Sequence, residues 1–324
     1  MNRILKTYFA IFALSVLVGC STTSNIPDDD QLFIGLKKIN YENYEPSDHF
    51  LNTQIEVEAA LATAPNGALF GSSYYRTPFP YGLWIWNAFS DNDDGFSKWM
   101  VKSFGKQPVL MSWVNPALRA SVAQTVLRNH GYLHSQVTYE EIPQKNPKKS
   151  KIGYNVNVGK LFTVDTLSYV NFPDEADSLI NAYSSEAVVK KGTPLSVSNL
   201  DGERQRLYTM FRDNGYYYYQ SGFASYLADT LAEPNKARLR LQLASGLPEG
   251  ALHKWHIGNI HINMQRTYTE PLTDSLHFRF FSMNYNGKKP PLRPRVITRD
   301  MKVRHNPLYS YSDYQETASH LSSM

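Results

Sequence analysis

Alternation and helical spacing take turns along most of this chain. Leu32 to Tyr44 starts apolar and then alternates through Leu36, Ile39 and Tyr41, the period of a half-buried strand. Thr53 to Thr63 sets Ile55, Ala59, Leu61 and Ala62 near helical spacing, and Pro65-Asn66-Gly67 stops it. Two longer helices are predicted at Pro116 to Arg128 and at Leu200 to Arg212. Each runs into a similar stop, Asn129-His130-Gly131-Tyr132-Leu133 and Asp213-Asn214-Gly215-Tyr216-Tyr217. Strand patterns follow through Val137 and Tyr139 in one place and from Tyr216 to Tyr219 in the other. Ile152 to Val158 alternates into Gly159, and Leu161 to Val170 alternates again. Arg238 to Leu243 and Trp255 to Ile262 do the same further on.

These elements repeat. Gln107-Pro108-Val109-Leu110 precedes the first helix, and Thr193-Pro194-Leu195 precedes the second. Pro108 to Pro194 spans 86 residues and Gly131 to Gly215 spans 84, so two landmarks recur at nearly one interval. A third copy opens at Asn306-Pro307-Leu308-Tyr309-Ser310, enters a helix near Asp313 and reaches Met324 before its own Gly-Tyr. Each unit reads strand, helix, helix, strand, strand. The fold class expected is α+β, with tandem βααββ modules of which the last is incomplete.

Local chemistry supports the units. Leu200, Arg204, Leu207 and Phe211, with Met210 beside them, form one stripe suited to a small sheet. Gly215 can take the left-handed conformation that a helix stop needs. Ser196 or Ser198 can cap the helical segment after Pro194, and Asn115-Pro116 supplies a cap followed by proline in the first turn. Successive tyrosines from Tyr216 to Tyr219 are expected on opposite faces of a strand. Gly131, Tyr132, Gly215 and Tyr216 read as structural: a turn and a packed ring.

The N-terminus has a different character. Arg3 and Lys6 precede an apolar run from Tyr8 to Val18, which at 11 residues is short of the ~20 needed to span a bilayer. Leu17-Val18-Gly19-Cys20-Ser21 resembles the bacterial lipobox, with Cys20 as the cleavage and lipidation site. Cys20 is the only cysteine, so no disulfide can form within the chain. A diacylglycerol on Cys20 plus an acylated amine would anchor strongly, since each buried methylene contributes ~0.8 kcal/mol. Ser21 rather than Asp after the cysteine resembles the outer-membrane sorting pattern. Residues 21–31 are polar, carry Pro27 and read as a tether.

Composition narrows the function. Hydrophobic residues make up 42% and charged residues 19%, a globular balance, and a net charge of +4 does not by itself indicate nucleic-acid binding. Tyrosine, at 22 residues, is unusually common and favours strands and half-wet surfaces. From Ala68 to Phe104 the chain is dense in aromatics, including Phe70, Tyr74, Tyr81, Trp84, Trp86, Phe96, Trp99 and Phe104. This stretch reads as an insertion that folds its rings onto the first module; the sharper alternative is a partner- or membrane-facing surface. No catalytic constellation stands out, so no enzyme, cofactor or metal is expected. His253, His256 and His261 lie close in sequence, but no cysteine or acidic pair completes a ligand set. There is no phosphate-binding Gly loop and no Gly-x-Ser-x-Gly elbow.

The ordered set of proline, helix, Asn-Gly-Tyr-like stop and two strands resembles POTRA domains, the periplasmic repeats of the Omp85 superfamily that includes BamA and TamA. With the lipobox, "PNGALFG" at 65–71, "GLWIWN" at 82–87 and "RNHGYLHSQVTY" at 128–139, it is similar to the lipoprotein TamA-like (TamL-type) branch of Bacteroidetes. The resemblance implies a signal peptide at 1–19, a lipidated tether at 20–31, and modules at 32–160, 161–250 and 251–324, the last truncated. Members of that family continue into an outer-membrane barrel. Nothing after Met301 has barrel alternation, so a fragment, a split gene product or a soluble portion is expected. The implied function is a periplasm-facing, outer-membrane-anchored scaffold for protein assembly or translocation. It would bind outer-membrane protein clients or an assembly partner by strand addition at sheet edges. The alternative is a lipoprotein that binds glycan or cell wall through Ala68 to Phe104.

Overall fold

The computed structural model describes residues 22–323. Cys20 and the signal-peptide segment lie outside the described residues. The chain divides into two compact units, one ending at Phe162 and one beginning at Thr163.

In the first unit β1 (Leu32–Leu36) and β2 (Asn40–Glu42) are followed by α1 (Asp48–Leu61), α2 (Tyr81–Phe89), α3 (Gly95–Phe104), α4 (Met111–Val114) and α5 (Pro116–Asn129). The strands β3 (Gln136–Pro143) and β4 (Lys149–Asn157) close it. The single strand expected at Leu32 to Tyr44 is thus broken in two. Strand β4 is central, with β1 and β2 parallel along one side and β3 antiparallel along the other, from Gln136 opposite Asn157 to Pro143 opposite Ser150. Helix α1 starts at Asp48, before the expected Thr53, because Ser47 accepts a hydrogen bond from the Phe50 amide at 3.1 Å. It buries Phe50, Thr53, Val57 and Leu61, one helical stripe. Helix α5 buries Pro116, Ala120, Ala123 and Leu127, and Asn115 caps it as expected, accepting from the Leu118 amide at 3.1 Å. The two helices share a core with Phe33, Ile152, Tyr154 and Val156 of the sheet. A second cluster forms from Leu32, Ile34, Leu110, Leu83 of α2 and Ile26.

The second unit opens with β5 (Thr163–Val170), α6 (Asp174–Ala182), α7 (Val197–Asp213), β6 (Ala224–Asp229) and β7 (Lys236–Leu243). Its sheet order is β5-β7-β6, parallel then antiparallel, the same arrangement as around β4. The βααββ order expected from the sequence is present from β5 to β7; in the first unit an extra strand, β2, and three further helices, α2 to α4, are set into the same plan. Ser196 caps α7, accepting from the Asn199 amide at 3.3 Å. The rest of the unit carries β8 (His261–Met264), β9 (Asp274–His277), β10 (Ser282–Tyr285), α8 (Pro294–Thr298) and α9 (Tyr311–Ser322). Here β10 lies between β8 and β9, parallel to the first and antiparallel to the second. All three strands precede the helices.

The segments around the proline landmarks are bridged in the same way three times. An antiparallel bridge joins Leu32 to Leu110, Thr163 to Pro194 and His256 to Leu308. In each copy the segment before the helix is thus pinned to the stretch that opens the copy; the bridging residue is itself a proline only at Pro194, while Pro108 and Pro307 stand two positions and one position before their bridging leucines. The glycine landmarks also repeat. Gly131 and Gly215 have φ of 97° and 96°. The next amides turn back on the helix, Tyr132 N to Leu127 O at 3.0 Å and Tyr216 N to Phe211 O at 3.1 Å.

Two sequence expectations need correction. Tyr216 to Tyr219 is a turn, not a strand. The Tyr219 amide donates to the Tyr216 carbonyl at 3.0 Å, and both rings pack on Phe211 while Tyr217 and Tyr218 face out. The strand starts only at Ala224. In α7 the buried stripe is Glu203, Leu207, Met210 and Phe211, and Arg204 lies at its margin.

Candidate functional site

A strand at the rim of a sheet displays unpaired main-chain groups, so the strand edges are where a polypeptide could be bound. The two larger sheets, around β4 and β7, have four such rims at β1, β3, β5 and β6, and three are blunted. At β1 the outward amides are already used: Phe33 N donates to Val109 O at 2.8 Å and Leu36 N to Ser73 O at 2.8 Å. Gly35 permits that strap, since a Cβ there would stand 3.0 Å from the Ser73 carbonyl. At β3 the rim carries Glu140, Glu141 and Pro143, the charges and the proline that discourage pairing. At β5 the register slips between Val164 and Thr166. The bulged Asp165 is nearly buried and meets Lys191 at 3.3 Å and Arg238 at 3.5 Å.

Strand β6 has none of these devices. Ala224 to Asp229 reads Ala-Ser-Tyr-Leu-Ala-Asp, with one charge at its end and no proline, glycine or bulge. Ala224 and Tyr226 face the core, and the Tyr226 hydroxyl donates to the Leu200 carbonyl at 3.0 Å. Burial pushes that hydroxyl above its usual pKa, so it stays a donor across the physiological range. Leu227 points outward and is 54% exposed. The Ala244 amide donates to the Phe223 carbonyl at 2.8 Å. By the antiparallel alternation, Ser225 and Leu227 then pair inward with β7, and Ala224, Tyr226 and Ala228 turn their main-chain groups outward.

The core beneath this sheet holds a polar bolt that sequence reading missed. Glu203 is fully buried. It accepts from Tyr169 Oη at 2.7 Å, from Arg206 Nη2 at 2.6 Å and from the Val188 amide at 2.7 Å. Burial alone would raise the carboxyl, but the hydrogen bonds from Arg206 and Tyr169 outweigh it and hold Glu203 below the usual carboxylate range. The signal available in the sequence was the Glu203–Arg206 spacing beside Leu207, an i, i+3 ion pair on a helix face otherwise read as apolar. The charge is fully partnered, which marks a structural role joining α7, β5 and the Val188 loop.

The remaining candidates separate. His256 Nδ1 contacts the Asn306 carbonyl at 2.9 Å and His261 Nδ1 contacts Ser282 Oγ at 2.6 Å, so the histidines serve different partners. Among the described residues no group of three or more His, Cys, Asp or Glu is placed to hold a metal ion. Trp84 and Trp86 stand two positions apart on α2, half-buried, and so do not share a face as a sugar-stacking platform requires. No described helix is long and apolar enough to cross a membrane.

No protein-family model matches the chain, and no curated protein matches it. Solved structures do. POTRA domains 3–5 of BamA from Haemophilus influenzae align over 93% of this chain and 89% of that one, at 9% identity and a TM-score of 0.39. POTRA domains 1–3 of the periplasmic domain of Omp85 from Anabaena cover 92% and 86%, at 10% identity and a TM-score of 0.31. The N-terminal domain of Omp85 from Thermosynechococcus elongatus covers 90% and 85%, at 13% identity and a TM-score of 0.29. At such scores these likenesses add nothing to the strand order and pairing seen in this chain itself.

Proposed function

We propose that the protein is a non-enzymatic scaffold that binds extended polypeptide along β6. It would be held at the outer membrane by lipid on Cys20, facing the periplasm, and would serve outer-membrane protein clients or an assembly partner in the manner of a TamL-type lipoprotein. In this reading residues 32–160, 161–250 and 251–324 are three successive modules behind a tether at 20–31. The observation that carries the proposal is the contrast among rims: β1, β3 and β5 are strapped, charged or bulged, and β6 is bare. Main-chain hydrogen bonds at such a rim are indifferent to client side chains, which suits a factor with many clients.

A photoreactive residue at Leu227 should crosslink to an unfolded outer-membrane barrel protein, and the same residue at Glu140 should not. Equal capture at both positions, or capture of glycan alone, defeats the reading. Cys20→Ala should move the protein from the membrane to the soluble fraction; unchanged attachment contradicts lipidation.

A further inference from the structure

Helix α3 is built inside out. Its buried residue is Ser97, whose hydroxyl donates to Asp94 Oδ2 at 2.6 Å, and its outward residues are Phe96, Trp99 and Phe104, each more than half exposed. An ordinary surface helix turns its rings inward. These rings touch one another instead: Phe89 to Phe96 at 5.9 Å, Phe96 to Trp99 at 6.1 Å and Trp99 to Phe104 at 5.7 Å. The Lys106 amide donates to the Gly82 carbonyl at 2.9 Å, which brings the end of α3 beside exposed Tyr81 at the start of α2. The α2–α3 hairpin thus presents a run of four touching rings, Phe89, Phe96, Trp99 and Phe104, with no covering element among the described residues. Contiguous exposed apolar area of this kind marks an interaction face.

The position of the chain's N-terminal segment says what covers it. Asn25 Nδ2 donates to Ser90 Oγ at 2.9 Å and to Asp91 Oδ2 at 3.2 Å, at the turn between α2 and α3. Ile26 is buried against Leu83 of α2. The stretch read as a tether is therefore pinned to this hairpin from Asn25 onward, five positions after Cys20. A lipid carried on Cys20 would bring a bilayer within five residues of this contact. Tryptophan and tyrosine favour the bilayer–water interface, where an apolar body and a polar edge are both satisfied, and phenylalanine adds apolar area beside them on interfacial helices.

We infer that the α2–α3 hairpin docks on the surface of a lipid bilayer through Phe96, Trp99 and Phe104. This deepens the proposed function and rests on the anchor at Cys20 only for proximity. The contact is with the lipid interface itself and does not need anionic headgroups. Lys98, Lys102 and Lys106 are matched by Asp91, Asp93 and Asp94, and Lys98 pairs with Asp93 at 2.6 Å, so the hairpin has no net charge to offer. Anchored at one point and docked at another, the first unit would be fixed in tilt against the membrane, where a single anchor leaves it free to swing.

The test uses the full chain with its lipid on Cys20, Lys102→Cys carrying an environment-sensitive fluorophore, and vesicles of zwitterionic phosphatidylcholine containing a headgroup-depth nitroxide lipid. Quenching of the label is expected, unchanged when salt is raised tenfold, because apolar contact is not screened. Adding Phe96→Ser, Trp99→Ser and Phe104→Ser should cut the quenching at least tenfold while the protein still floats with the vesicles. These side chains are exposed, and far-UV circular dichroism and thermal melting check that folding is unchanged. Equal quenching in both proteins, or none in either, overturns the inference. So does loss of a co-purifying protein in the triple variant without any lipid quenching, which would make the surface a protein-docking face. Flotation of the triple variant reads the anchor: Cys20→Ala added to it failing to abolish flotation counts against lipidation and leaves the quenching comparison standing.

Discussion

The two units share one plan and finish it differently. Both set a central strand between a parallel and an antiparallel neighbour, and both roof the sheet with two helices. In the first unit the inserted segment and the Ile26 stretch cover the outer face of β1, and all five residues of that strand are buried. In the second, only Val164 of β5 is fully buried, and a charged bolt at Glu203 secures the core from within. The antiparallel rims differ in the same way: β3 is armed with Glu140, Glu141 and Pro143, and β6 is bare. The shared part of the fold is fixed by recurring prolines and glycines, and the differences lie on the rims, where binding occurs. The fold alone does not specify function; the groups grafted on it do.

The comparison breaks most sharply at the bolt. Glu203→Ala leaves Arg206 buried beside an unpaired Tyr169 and should destabilise the second unit by about 3–5 kcal/mol, the cost of orphaning one member of a buried pair. Amide hydrogen exchange should quicken across β5, α7, β6 and β7 and stay unchanged in β3 and β4. The pH dependence has a definite sign. The folded carboxyl titrates below its unfolded value of ~4.3, so its contribution is complete above that pH and is lost as pH falls through the lower folded value. Wild-type protein should therefore lose protection in the second unit on acidification below about pH 4, and Glu203→Gln should flatten that part of the profile. A first-unit counterpart is Leu127→Ala, which empties a fully buried site against α1 and the sheet. It should cost about 2–5 kcal/mol and quicken exchange in the first unit alone.

What the sequence made legible was whatever depends on local chemistry. Pro194 sits in a bridge where its missing N–H is no loss, and Gly131 and Gly215 sit where φ is positive. Each demand falls on one residue type, so the landmarks recur in register. Tyr216 to Tyr219 misled because four identical residues satisfy any period, and the turn is set by packing on Phe211. The inside-out sense of α3 was hidden for a related reason: composition shows that rings are present but not which way the helix is turned. Glu203 was illegible because its partners Tyr169 and Val188 come from elsewhere in the chain. The rims were hidden as well, since Ala-Ser-Tyr-Leu-Ala-Asp becomes an edge only once β7 has taken its place on the other side.

A smaller effect separates the two glycine stops. Gly215→Ala forces a side chain into φ of 96° and brings its Cβ to 3.0 Å from Leu308 and 3.3 Å from Lys254. It should cost about 1–2 kcal/mol from the left-handed conformation alone, with more if Leu308 cannot yield. The Gly215 carbonyl also accepts from the Trp255 amide at 2.8 Å, and the neighbouring Arg212 guanidinium lies 4.7–5.4 Å from the rings of Tyr208, Tyr217, Tyr309 and Tyr311. Exchange should therefore quicken at Trp255 and Tyr309, beyond the mutated turn. Exchange confined to Asn214–Tyr216 would show that the third copy does not depend on this contact.

The smallest change in stability should carry the most functional information. Ala228 turns its main-chain groups away from β7, so Ala228→Pro removes an outward N–H without touching the ladder to Leu239 and its neighbours. Stability should move by no more than about 0.5 kcal/mol, as for an edge position that packs nothing. Crosslinking from Leu227 to an unfolded barrel protein should nonetheless fall at least tenfold, because the incoming strand loses a donor and meets the proline ring. Removing the guards from the other rim, with Glu140→Thr, Glu141→Thr and Pro143→Thr together, should raise capture at β3 from background. If Ala228→Pro leaves capture intact while the opened β3 stays silent, rim chemistry is not what distinguishes the two units, and the client is gripped by side chains elsewhere.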